Sequence, residues 1–169
     1  MRILGIDPGY ATVGYGVVDY ERNRFHTVGC GAITTAPELP FAERLQAIYD
    51  DMLVLIDRYA PRQLSVERLY FNTNTTTAID VAQARGVILL AARQKGLEIF
   101  EYTPLQVKQS VVGYGRAEKR QVMEMVKNFL GLSAVPKPDD AADALALAIC
   151  HGHCTGSIYG KLQSGEKRT

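Results

Sequence analysis

Disulfide frameworks are out of reach for this chain, because its only cysteines are Cys30, Cys150 and Cys154. So few thiols at such spacings suit a reducing compartment. No apolar run approaches the ~20 residues that a membrane-spanning helix needs, and a sequence that opens directly on a predicted strand is expected to carry no signal peptide. Single-sign charge is also missing: the net charge is +1. No global field therefore advertises nucleic acid, and any such signal must be local. Internal repeats and low-complexity blocks are absent too. The expectation is a soluble cytoplasmic protein that makes no membrane contact. Its 169 residues, 47% of them apolar, can bury a core and match one domain of the usual ~100–200 residues. That domain is expected over 1–154, with a mobile polar tail over 155–169.

What is present begins with MRILGIDPGYATVGYGVVDY. The apolar runs Ile3–Ile6 and Tyr15–Val18 flank Asp7-Pro8-Gly9, which predicts a β-hairpin with an acid ending its first strand. Alternation puts Ile3, Gly5 and Asp7 on one face and Leu4 and Ile6 on the other. Asp-Pro-Gly is also ordinary turn chemistry, so this stretch alone leaves turn and acidic site equally open.

A third antiparallel strand is predicted over Arg24–Thr34. From Phe41 the period becomes 3.6 and the helical stripe runs to Tyr59. Gln63–Glu67 is a short strand with Ser65 and Glu67 on one face. A helix rich in small residues follows over Thr77–Lys95, then a strand at Glu98–Tyr102. Helices are predicted from Thr103 to Val112, over Ala117–Leu130, and from Asp139 to about Cys150. Three strands joined by tight turns must be antiparallel, and strands alternating with helices should run parallel. The fold class is therefore α/β: a mixed five-stranded sheet with helices on both faces. Sites in such sheets lie at the C-terminal ends of parallel strands, where Asp7 and Glu67 both fall.

The last helix adds Asp139, Asp140 and Asp143. Helical spacing allows either Asp139/Asp143 or Asp140/Asp143 to share a face. Asp139 also suits a helix cap. Asp143 precedes an apolar run and should turn partly inward, with no Lys or Arg placed locally to neutralise it. Carboxylates converging at a sheet mouth repel one another unless a divalent cation joins them. Hard oxygen donors suit Mg²⁺ or Mn²⁺ rather than zinc.

Four blocks, GIDPGYATVGYGVVD, SVERLYF with AIDVAQARG, TPLQVKQSVVGYGRAEKRQV and PDDAADALALAICHGH, together resemble the RuvC Holliday-junction resolvases. The resemblance runs in register to about His153. It implies an RNase H-like fold and a homodimer that nicks four-way DNA junctions symmetrically with Mg²⁺, in recombination and repair. Two ions per site are implied, with Mn²⁺ able to substitute. Carried over by position, the catalytic and metal-binding acids would be Asp7, Glu67, Asp140 and Asp143, which selects Asp140 over Asp139. The family's functional aromatic falls on Tyr70, with Phe71 the alternative.

Lys108, Arg116, Lys119 and Arg120 are candidates for DNA phosphates, either as a basic loop and helix or as solvated surface; the resemblance points to Lys108 and Lys119. RuvA and RuvB are implied as partners. The small-residue helix, through Ala82 and Gly86, is the expected dimer contact. Cys150-His151-Gly152-His153-Cys154 lacks the paired spacings of zinc sites. The rival readings are a nuclease of the same fold acting on RNA or other branched DNA, and a non-catalytic junction binder. An actin-like phosphotransferase would need a second such domain.

Overall fold

The computed structural model describes residues 1–69 and 77–156. Five strands, β1 (Arg2–Asp7), β2 (Thr12–Glu21), β3 (Arg24–Thr34), β4 (Gln63–Glu67) and β5 (Glu98–Tyr102), form one sheet in the order β3-β2-β1-β4-β5. β1 pairs antiparallel with β2 and β2 with β3, whereas β1–β4 and β4–β5 are parallel. This is the mixed sheet expected from the sequence, and it puts β1 in the middle.

Alternation along β1 divides the core in two. Leu4 and Ile6 face α1 (Phe41–Tyr59) and α2 (Ala78–Gln94), meeting Ile48, Met52, Ile56, Ala84 and Ile88. Ile3 faces α4 (Lys119–Phe129) and α5 (Asp139–Gly156), with α3 (Pro104–Val112) completing that layer. Helix α1 stops as its apolar stripe predicts: Ala60 turns left-handed at φ 47° and Pro61 follows. Helix α3 opens on a capping box in which the Thr103 side chain accepts from the Gln106 amide at 3.1 Å.

Helix α5 lies across β1 and β2 at very short range because the strands present glycine there. A Cβ added at Gly5 would stand 2.0 Å from the Ala144 carbonyl oxygen, and one at Gly14 only 2.1 Å from that of Asp140. Ala141, Ala144 and Ala148 are the helix's share of this contact, each fully buried. On β4, Ser65 Oγ donates to the Leu147 carbonyl at 2.7 Å. Small residues on both partners seat the helix on the sheet.

The last helix departs from expectation in length. It continues past Cys150 to Gly156, so the expected domain boundary after residue 154 falls inside it. The remainder of the expected tail lies outside the described residues. The physical reason is burial: His151 is fully buried and stacks on Phe100 at 4.2 Å between centroids. Tyr102 OH donates to its Nδ1 at 2.6 Å. Its Nε2 then carries the proton and donates to Gln63 Oε1 at 2.9 Å, and Gln63 in turn donates to Glu98 at 3.0 Å. Among the described residues no helix is long and apolar enough to cross a membrane.

Burial holds His151 neutral, with its pKa pushed down from 6.5 to about 4. The unfolded chain therefore binds the extra proton first. The stabilisation is complete above pH 6.5 and is lost as pH falls toward 4, up to about 3 kcal/mol in all. His151→Gln should remove that part of the profile, read as urea stability at several pH values between 4 and 8. A variant profile with the wild-type slope would show that the imidazole does not titrate in this way.

Candidate active site

Asp7 and Glu67 end β1 and β4, the parallel pair at the middle of the sheet. Asp7 lies opposite Gly14 in the β1–β2 ladder, and the backbone of Asp140 rests on that same glycine. One turn further along α5, Asp143 borders a cleft of about 290 Å³ with Glu67, Lys108 and Lys119, floored by Val107, Val122 and Leu147. The four acids picked from the sequence are thus gathered at one mouth by three separate elements.

Their electrostatics agree with that gathering. The Asp7 carboxyl is pushed up from 3.8 to about 7, first by burial and then by Glu67, Asp143 and Asp140, with Lys119 pulling the other way. Glu67 is also raised, by burial and then by Asp143. Asp139 behaves differently. It is an exposed-side partner of Lys137, whose Nζ lies 2.8 Å away, and its carboxyl is held low by that lysine. The choice that helical spacing left open between Asp139 and Asp140 is divided here by partners: one acid is neutralised by a neighbour, and the other lies beside Asp7.

Asp143 finds a counter-ion outside its own helix: Lys119 Nζ lies 2.8 Å from its Oδ2 and 4.0 Å from Asp139 Oδ2. The partner comes from α4, so no local scan of the sequence around Asp143 could supply it. Hydrogen bonding to Asp143 raises the Lys119 pKa in return. The donor set, all carboxylate oxygen with Asp7 driven up by its neighbours, suits a hard divalent cation. Among the described residues, however, no three ligating side chains converge on one point; an ammonium group sits against Asp143 instead.

The other candidates divide. Lys108, on α3, lines the cleft beside Glu67. Arg116 and Arg120 are exposed before and at the start of α4. Tyr70 and Phe71 lie outside the described residues. In the Cys150–Cys154 segment both imidazoles are engaged by protein groups, His151 as above and His153 near Ser110 at 3.2 Å. One positioning residue went unread in the sequence: Arg85 of α2 donates from Nε to the Glu67 carbonyl at 3.0 Å and also pairs with Glu101. An arginine inside an alanine-rich helix was its only signal.

A mixed sheet of this order, with acids gathered at its parallel mouth, is the arrangement that the resemblance to junction-resolving nucleases implied. The structure of Thermus thermophilus RuvC in complex with Holliday junction substrate superposes with a TM-score of 0.86 at 32% identity, covering 94% of this chain and 98% of that one. The chain belongs to the RuvC family: the family model for crossover junction endodeoxyribonuclease RuvC matches residues 3–151. The protein of that name from Pelotomaculum thermopropionicum is 59% identical over 153 residues, 90% of this chain and 93% of that one. Its namesake from Ruminiclostridium cellulolyticum is 56% identical over 162 residues, covering 95% and 98%.

Proposed function

We propose that this chain is a metal-dependent endonuclease that resolves four-way DNA junctions by paired nicks, as part of recombination and repair. The observation that carries the reading is the gathering of Asp7, Glu67, Asp140 and Asp143 at one mouth, in a chain of the RuvC family. These four would hold Mg²⁺, two ions in the fullest form, with Mn²⁺ as a substitute. When bound, Mg²⁺ supplies an attacking water of lowered pKa and stabilises charge on the leaving 3′ oxygen. The chain's own part is positioning. Strand ends fix Asp7 and Glu67, the seating of α5 on Gly14 fixes Asp140, and Arg85 steadies the backbone at Glu67. Lys108 and Lys119 border the cleft and would hold phosphates, with Arg116 and Arg120 adding contacts further out. Tyr70 would stack on a crossover base, an exchange worth ~1–3 kcal/mol.

A junction offers two equivalent strands about a two-fold axis, so a two-fold dimer matches it. Helix α2 supports that assembly. Ile79 and Leu90 are 60% and 53% exposed, and a Cβ at Gly86 would meet nothing within 4 Å. Residues 79, 86 and 90 share one helical stripe. Gly86→Leu should therefore leave the monomer fold untouched while shifting the protein from dimer to monomer in sedimentation at micromolar concentration. A variant that stays dimeric would move the interface elsewhere. RuvA and RuvB are the branch-migration partners this reading implies, and the cytoplasm, where free thiols persist, is the compartment it implies.

The direct test is a nicking assay with Mg²⁺ or EDTA on a four-way junction, a linear duplex and an RNA–DNA hybrid. Symmetric nicks on the junction alone, lost in EDTA, are expected. Cleavage of the hybrid would favour a ribonuclease of the same fold, and tight junction binding without cleavage a non-catalytic role.

A further inference from the structure

Lys119 stands in an odd place for a residue whose obvious task is to bind DNA. It is the first residue of α4, and its ammonium reaches across to α5, 2.8 Å from Asp143. Asp139 already has Lys137 at 2.8 Å, so Asp143 is the acid that depends on Lys119. The field of the same ammonium reaches Asp7. Four carboxylates at one mouth need positive charge, and here an amine provides some of it.

We propose that Lys119 is the resident cation of the acidic site, and that a divalent ion and Lys119 exclude each other from Asp143. This rests on the reading of Asp7, Glu67, Asp140 and Asp143 as a metal site. Metal entry then requires the 2.8 Å pair to open, and the displaced ammonium is left bordering the cleft shared with Lys108 and Glu67. A DNA phosphate lying there would draw Lys119 off Asp143 and favour the ion, and by linkage the ion would favour the phosphate. In the absence of DNA the pair works the other way and weakens metal binding. The arrangement keeps the site low in affinity until substrate arrives.

The pair is partly exposed, at 56% for Lys119 and 31% for Asp143. Removing it should tighten metal binding by a modest factor, roughly two- to fivefold for a pair of this kind. The experiment is calorimetric titration of DNA-free protein with Mn²⁺, comparing wild type, Lys119→Met, Lys108→Met and Asp7→Asn. Lys108→Met removes a cation from the same cleft and so controls for general loss of positive charge.

Lys119→Met is expected to bind Mn²⁺ roughly two- to fivefold more tightly, with Lys108→Met close to wild type. Amine labelling read by mass spectrometry adds a readout independent of affinity: Lys119 should become more reactive when Mn²⁺ is added, and Lys127, paired instead with Glu124, should not. If Lys119→Met binds no better than wild type, or only as well as Lys108→Met, the proposal is overturned. Unchanged Lys119 labelling would overturn it equally. If Asp7→Asn binds Mn²⁺ as wild type does, the metal-site reading itself fails and takes the proposal with it. If Asp7→Asn loses binding while Lys119→Met is unchanged, only the proposal falls.

Discussion

Asp7→Asn is expected to abolish metal-dependent cleavage and, in the same molecule, to make the metal-free protein more stable at pH 8. The carboxyl of Asp7 is raised from 3.8 to about 7. The folded protein therefore holds that proton more tightly than the unfolded chain. Its stabilising effect is complete below pH 3.8 and is lost as pH rises through about 7. At pH 8 the native state carries an ionised carboxylate that burial, and then its acidic neighbours, disfavour. The full gap corresponds to about 4 kcal/mol, and solvent at the open mouth screens this to about 1–3 kcal/mol. An amide keeps the shape of the protonated acid without its ionisation. Urea unfolding in EDTA should show the variant ahead at pH 8, with the advantage narrowing toward pH 5. A variant no more stable than wild type at pH 8 would mean that neither burial nor the neighbouring acids oppose ionisation of Asp7. Cleavage at the normal rate would remove Asp7 from the site.

Gly14→Ala is the second large effect, although no functional group is touched. The added methyl would lie 2.1 Å from the Asp140 carbonyl oxygen and 2.4 Å from its carbonyl carbon. Both are backbone atoms at the start of α5, and they cannot swing aside as the tip of a long side chain can. Overpacking of this sort costs about 1–3 kcal/mol. The cheapest relief is for the first turn of α5 to lift from β2, which carries Asp140 away from Asp7. Melting temperature should fall, Mn²⁺ binding weaken, and junction nicking drop at least roughly tenfold, since small misplacements of reacting groups are costly. Wild-type melting and nicking together would show that α5 does not owe its position to this contact.

Much of this was legible in the residues themselves. The strands Gln63–Glu67 and Glu98–Tyr102 and the helix from Phe41 to Tyr59 have the bounds read from the residues, because each is a short local run closed off by turn or helix-breaking residues. Asp7 and Glu67 were recognisable as strand ends for the same reason. The end of α5 was not. Cys-His-Gly-His-Cys reads as polar punctuation until Phe100, Tyr102 and Gln63 are brought alongside His151. The Lys119–Asp143 pair and the hold of Arg85 on Glu67 were hidden alike, since each joins elements that only tertiary structure makes neighbours. Pattern reading gives what a segment wants by itself, and charge pairing across segments is what it leaves out.

The seating of α5 on the glycine positions of β1 and β2 also bears on how the chain is made. A ribosome delivers every strand before it delivers Asp140 and Asp143. Until then the nascent sheet exposes the bare tracks of Gly5 and Gly14, and its mouth holds Asp7 and Glu67 alone. A chain that stops before α5 thus has half of the acidic cluster and lacks the helix that covers Gly5 and Gly14. The last two of the four gathered acids therefore arrive only with the helix that closes the core.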